Sequence, residues 1–192
     1  VIGYESMAGQ INLTFKAPET KEQLYLNAYL NAMSRLELNA NYSAKLSDKV
    51  ETIFMLHGNT LNADMDRNND NFLDIPKGRQ FNIMNRYKIT GDRVVQQLGF
   101  QVMHDERIGG QIGFGFNEDP LTSARYGLNM SSKRYELYGK TGVLFPDKPY
   151  RGLGFIYSGV INERRDIVGR NLYEGIEKSF YLNSIYQGIL GN

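Results

Sequence analysis

The sequence predicts an all-β chain, an antiparallel up-and-down sheet of the kind that builds a transmembrane β-barrel. Three observations carry this. Residues 35–46 alternate without error, with Leu36, Leu38, Ala40, Tyr42, Ala44 and Leu46 on one face and Arg35, Glu37, Asn39, Asn41, Ser43 and Lys45 on the other. Side chains of a strand point alternately to its two faces, so this is a ribbon with one greasy and one wet side. The connections between such ribbons alternate between short and long. And no run of about 18 apolar residues exists to form a transmembrane helix, while a mean hydropathy of −0.44 suits a barrel wall whose inner face is polar.

Eight strands follow a short leader, at about 23–32, 35–46, 50–58, 79–89, 94–105, 133–145, 152–162 and 178–190. In the first, Leu24, Leu26, Ala28, Leu30 and Ala32 oppose Gln23, Tyr25, Asn27, Tyr29 and Asn31. It must turn back on the second, because one strand over 23–46 would be about 79 Å long at about 3.3 Å per residue. Both apolar faces fall on even numbers, so directly opposed residues have an even sum and the loop is odd. Met33-Ser34-Arg35 satisfies this with Ala32 opposite Leu36. Ser47-Asp48-Lys49, Thr90-Gly91-Asp92-Arg93 and the Pro-punctuated Pro146–Arg151 are short links. Residues 59–78, 106–132 and 163–177 are long, polar or glycine-rich, and all fall at one end of the sheet. Membrane barrels of the outer-membrane type have this asymmetry, with short periplasmic turns and long outer loops. In 133–145, Tyr135, Leu137, Val143 and Phe145 share the apolar face and Arg134, Glu136, Tyr138 and Lys140 the polar one. In 178–190, Phe180, Leu182 and Tyr186 oppose Tyr181, Asn183 and Gln187. Residues 152–162 are apolar on both faces, so their phase stays open.

With 22 basic and 21 acidic residues the net charge is +1, which argues against a nucleic-acid partner. Cysteine is absent, so disulfides and thiolate metal sites are excluded. Thirteen Tyr and ten Phe supply residues of the type found in interfacial girdles.

Asp66, Asn68, Asp70 and Asp74, with the Phe72 carbonyl between, carry oxygens at the spacing of a calcium loop, although Asn71 stands where such a loop has glycine and Lys77 where it has glutamate. These five residues are the candidate Ca²⁺ ligands; the alternative is a solvated loop. His57 and His104 each close a strand before a long loop and are expected at the outer rim as hydrogen-bonded polar residues, with ligand contact, through Asp105 as well, as the alternative. Tyr25, Asn27, Tyr29, Asn31, Glu37, Asn39, Asn41, Gln97 and Gln101 form the wet face. Arg164, Arg165, Asp166 and Arg170 are placed in the last long loop. No Gly-x-Ser-x-Gly elbow occurs, and Gly109–Gly115 lacks the Lys-Ser/Thr of a phosphate loop, so no enzyme is predicted.

The leader reads Gly9-Gln-Ile-Asn-Leu-Thr-Phe-Lys-Ala-Pro18. It resembles the G-x-I-N-[IVL]-x-x-K-x-P junction at which the plug of TonB-dependent outer-membrane receptors runs into their barrel. Leu24–Tyr29, Asp66–Asp74, Arg79–Arg86 and Ser179–Gln187 are similar to the Bacteroidetes branch of that family. The resemblance implies that residues 1–20 end a plug domain and 21–192 begin a barrel of about 22 strands. A start at Val1 without a secretion signal and an end at Gly188–Asn192 without a terminal aromatic fit a piece of that larger wall. It also implies energised import of a scarce metal chelate, a siderophore or cobalamin, because the G-[VA]-I-x-[IV]-x-T-K-K-G form typical of sugar importers is missing. The implied location is the bacterial outer membrane. The implied partners are membrane lipid, the TonB energising complex acting through a segment before Val1, and in some relatives a surface lipoprotein. The alternative from the residues alone is a soluble calcium-containing β-sandwich that binds carbohydrate or protein.

Overall fold

In the computed structural model, which describes residues 16–19, 22–148 and 150–189, the described residues form one eight-stranded sheet with no helix. The strands are β1 (Leu24–Leu30), β2 (Leu36–Ser47), β3 (Val50–Leu61), β4 (Lys77–Thr90), β5 (Val94–Gly110), β6 (Gly127–Leu144), β7 (Gly152–Val168) and β8 (Asn171–Gln187). Each is antiparallel to the next, in the order β1 to β8. All eight predicted strands are present. β5 to β8 reach further toward the long-loop end than their apolar runs, because ladder hydrogen bonds continue where polar residues interrupt the alternation. Among the described residues β1 and β8 each have one paired neighbour, so the sheet is open and not closed as a barrel.

Two connections differ from the sequence expectation. β1 and β2 pair with Leu30 opposite Leu36, not Ala32 opposite Leu36. The parity is as predicted and the register two residues shorter. Asn31 explains the difference: its Oδ1 accepts the N–H groups of Met33 and Arg35, both at 3.0 Å, and holds a wider loop in which Ser34 has φ 61°. The second is the link 163–177, expected as a long loop. β7 and β8 instead continue as a hairpin to the pair Val168–Asn171. Gly169 sits at φ +61°, the value a two-residue hairpin asks of its first turn position. Arg164, Arg165 and Asp166 are therefore strand residues, and only Arg170 lies in the turn.

The fully buried apolar side chains are few. Ile108, Phe114 and Ile167 are buried together at the long-loop end, where Phe114 from the link 111–126 lies against Gly127. Beside them the buried Lys77 donates from Nζ to the Phe114 carbonyl at 2.9 Å and pairs with Asp64 at 2.5 Å. This brace ties the link between β5 and β6 to β4. Elsewhere no layer of described residues covers the apolar face. Leu38 is 49% exposed, Tyr42 55%, Leu137 60% and Phe180 77%.

Candidate functional site

The register assigns every strand residue to one of two faces, and the faces differ chemically. The outer face carries Leu24–Leu30 and Leu36–Ala44 at even positions, then Thr52, Phe54 and Leu56, then Phe81, Ile83, Asn85, Tyr87 and Ile89. It continues with Leu98, Phe100 and Val102, with Tyr135, Leu137, Gly139, Thr141 and Val143, and with Phe180, Leu182 and Tyr186. The open phase of β7 is settled by pairing: Leu153, Phe155, Tyr157, Gly159 and Ile161 lie on this face. No Asp, Glu, Lys or Arg occurs among these positions. The charges of the same face (Lys77, Arg79, Glu106, Lys133, Glu163, Arg165, Glu174 and Lys178) lie toward the long-loop end, with Lys178 level with the last belt row, Tyr135 and Ile161.

Four polar side chains inside this belt, Thr52, Asn85, Gln96 and Tyr157, are paired internally. The Asn85 amide nitrogen donates to the Ile53 carbonyl and to Thr52 Oγ1, both at 3.0 Å, and Thr52 Oγ1 donates to the Arg86 carbonyl at 3.0 Å. Gln96 Nε2 donates to Tyr157 Oη at 3.3 Å, and that ring lies over Gly139. A surface in water has no need of such pairing, whereas one in hydrocarbon does.

The inner face is a lattice of amides. Asn39 Nδ2 donates to Asn27 Oδ1 at 3.3 Å, and His57 Nδ1 lies 2.7 Å from Asn39 Oδ1. Asn59 Nδ2 reaches both His57 Nε2 at 3.0 Å and Gln80 Oε1 at 2.8 Å. An amide oxygen only accepts, so Nδ1 carries the imidazole proton and Nε2 accepts. Four adjacent strands are thereby cross-linked through one histidine. Gln101 Nε2 donates to Asn82 Oδ1 at 2.9 Å in the same lattice, and Tyr138, lying over Gly99, donates to Met84 Sδ at 3.5 Å. Nearer the long-loop end, same-strand pairs recur: Asp105 with Arg107, Arg134 with Glu136, and Arg164 with Asp166.

The leader meets this inner face. Lys16 places its ammonium 4.6 Å from the Tyr25 ring centroid, and its carbonyl accepts from Arg86 Nη1 at 2.7 Å. Lys88 Nζ donates to Glu19 Oε1 at 2.7 Å. That bond holds the Glu19 carboxyl below its usual range. Pro18 is buried, and the row Ser43–Ile53–Arg86 contains Ile53 at 0% exposure and Ser43 at 4%. Ile53, an apolar residue on the polar face, is directly opposite Arg86, whose guanidinium holds the Lys16 carbonyl. The predicted plug strand itself, 9–15, lies outside the described residues.

The predicted sites come together unevenly. His57 is on the inner face and His104 on the outer one, where it stands edge-on to Phe81 at 5.8 Å and 3.4 Å from Ser131 Oγ. Asp105 is on the opposite face from His104, so the two do not converge on a ligand. Asp66, Asn68, Asp70, Phe72 and Asp74 share the link between β3 and β4, with the side-chain oxygens of the four polar residues turned onto its own amides. Asp66 accepts from Asp70 N and Asn71 N, Asp70 Oδ1 from Phe72 N, and Asp74 Oδ2 from Arg67 N. Asn69 and Asn71 take positive φ there, the conformation in which asparagine replaces glycine. No grouping of three or more Asp, Glu or His side chains suited to a metal ion occurs among the described residues. Sequence reasoning missed the Lys77–Phe114 brace and the Tyr-over-Gly pairs. A lysine opening an apolar strand, and glycines spaced along β5 and β6, are their only traces in the sequence. No family model, curated protein or solved structure matches this chain.

Proposed function

We propose that this chain is part of a TonB-dependent transporter of the bacterial outer membrane, comprising the end of the plug and the first strands of the barrel wall. Its cargo in this reading is a scarce metal chelate, a siderophore or cobalamin. The carrying observation is the segregation of the two faces. Tyr135–Val143 and Leu153–Ile161 each cover nine positions, the length a tilted transmembrane strand needs. Their outward side chains lack charge; the inward ones include Glu136, paired with Arg134, and Tyr138 on the first segment, and the small or apolar Gly154, Ile156, Ser158 and Val160 on the second. The contact of residues 16–19 with Tyr25, Arg86 and Lys88 supports a leader arriving from inside the wall. Membrane lipid and the energising complex are the partners under this reading, with a surface lipoprotein seated on the long links.

The test is energised uptake. Cells carrying the protein should take up labelled ferric chelate or cobalamin, and collapse of the inner-membrane potential should abolish it. Uptake that survives the collapse refutes the transport reading, and recovery of the protein in the soluble fraction without detergent refutes the membrane reading. The soluble sandwich requires a second sheet over Leu38, Tyr42 and Leu137. The described residues provide one sheet.

A further inference from the structure

The outer face carries a recess that the barrel reading does not account for. Its floor is Gly159, in the middle of the apolar belt, where an added Cβ would meet nothing within 4 Å. Leu137 and Phe180 flank it directly on the neighbouring strands, and Phe100 lies beyond Leu137. The hollow has a volume of about 570 Å³, and Lys178 lines it one row on from Phe180, level with Ile161 and Tyr135. One row further stand Lys133 and Glu163. Among the described residues neither lysine is in an ion pair, whereas the adjacent Arg165 is held by Glu174 at 2.9 Å. An apolar trough that ends in two uncommitted ammonium groups is the shape and charge order of an acyl chain below an anionic headgroup. A glycine in a strand weakens it unless something approaches closely, and here no protein atom does.

We infer that this recess is a binding site for a phosphate-bearing lipid, its acyl chain laid over Gly159 between Leu137 and Phe180 and its phosphate at Lys178 and Lys133. Glu163 is the opposing carboxylate, and it favours a headgroup whose phosphate sits on the Lys178 side. The inference rests on the membrane reading, which places this face in lipid. It adds a single seated molecule where hydrocarbon alone would leave exchanging ones.

The experiment is native mass spectrometry of the protein in mild detergent, titrated with phosphatidylglycerol and, separately, phosphatidylcholine. The wild type should retain one phosphatidylglycerol about tenfold more tightly than phosphatidylcholine. Gly159→Leu should abolish that retention without loss of fold, since leucine suits a strand better than glycine. Lys133→Ala with Lys178→Ala should remove the preference while leaving weak binding of both lipids. Equal retention by wild type and Gly159→Leu, or a preference that survives loss of both lysines, overturns the site while leaving the membrane reading intact. A protein that needs no detergent overturns both.

Discussion

Leu38→Arg separates a sheet in lipid from a sheet in water by the size of its effect. Leu38 is 49% exposed, lies between Ala28 on β1 and Gly58 on β3, and is one pair of positions from Ala40, the centre of the apolar run Leu36–Ala44. Two residues along a strand are about 6.6 Å, and a tilt of about 40° leaves the side chain about 5 Å from the midplane. Arginine at the midplane of a barrel's lipid face costs about 2–4 kcal/mol, decreasing toward the interfaces, so about 2 kcal/mol is expected here. In water the same exposed site should change stability by no more than about 0.5 kcal/mol. Asn41→Arg is the internal control. Its side chain is on the inner face, and it should fall within that smaller range. Urea titrations of the protein folded into lipid vesicles, followed by gel mobility with and without heating, measure both. Equal effects at 38 and 41, or a neutral Leu38→Arg, would refute the assignment of faces.

Gly139→Ala sets a Cβ 2.5 Å from Tyr157 Cζ and Oη, so the ring must swing away and release Gln96; urea titration should show a loss of about 1–3 kcal/mol. Gly159→Ala, in open space, should not destabilise in the same titration. Asn59→Leu strips donors from His57 Nε2 and Gln80 Oε1 and should destabilise by about 1–3 kcal/mol for each acceptor left without water or a partner. Asn39 Oδ1 keeps its bond from His57 Nδ1–H, so the imidazole signal in NMR should retain that tautomer. Glu19 has its folded pKa below the unfolded one, so its contribution is complete above the ordinary carboxylate range and is lost as pH falls through the depressed value. The pair is solvent-accessible and worth no more than about 1 kcal/mol. Labelling of a cysteine introduced at Ala17, expressed at each pH relative to the same cysteine in the urea-unfolded protein to cancel the loss of thiolate, should therefore rise in acid, and a flat relative profile would disprove the Lys88 tether.

Strand number, order and the facing of β1, β2, β6 and β8 were legible because alternation at a period of two is a local property of consecutive residues. The ends were less so. β7 and β8 run on through Glu163–Val168 and Asn171–Glu177, where polar residues lie on both faces and alternation carries no signal; only the ladder shows that they stay paired. The same limit applies to the calcium pattern. Spacing places oxygens at alternate positions in a ligand loop and in a chain of Asx turns alike, and the difference is which way each carboxylate points.

The amino-acid order alone determined that this is a sheet with one apolar and one amide-rich face, because neighbouring side chains must point to opposite sides of a strand. Which atoms meet across strands was decided only by tertiary structure. The Asn27–Asn39–His57–Asn59–Gln80 ladder, the Lys77–Phe114 brace, the leader held by Arg86 and Lys88 and the hollow above Gly159 all depend on residues that tertiary structure brings together. Register is a property of paired strands, and no single segment contains it.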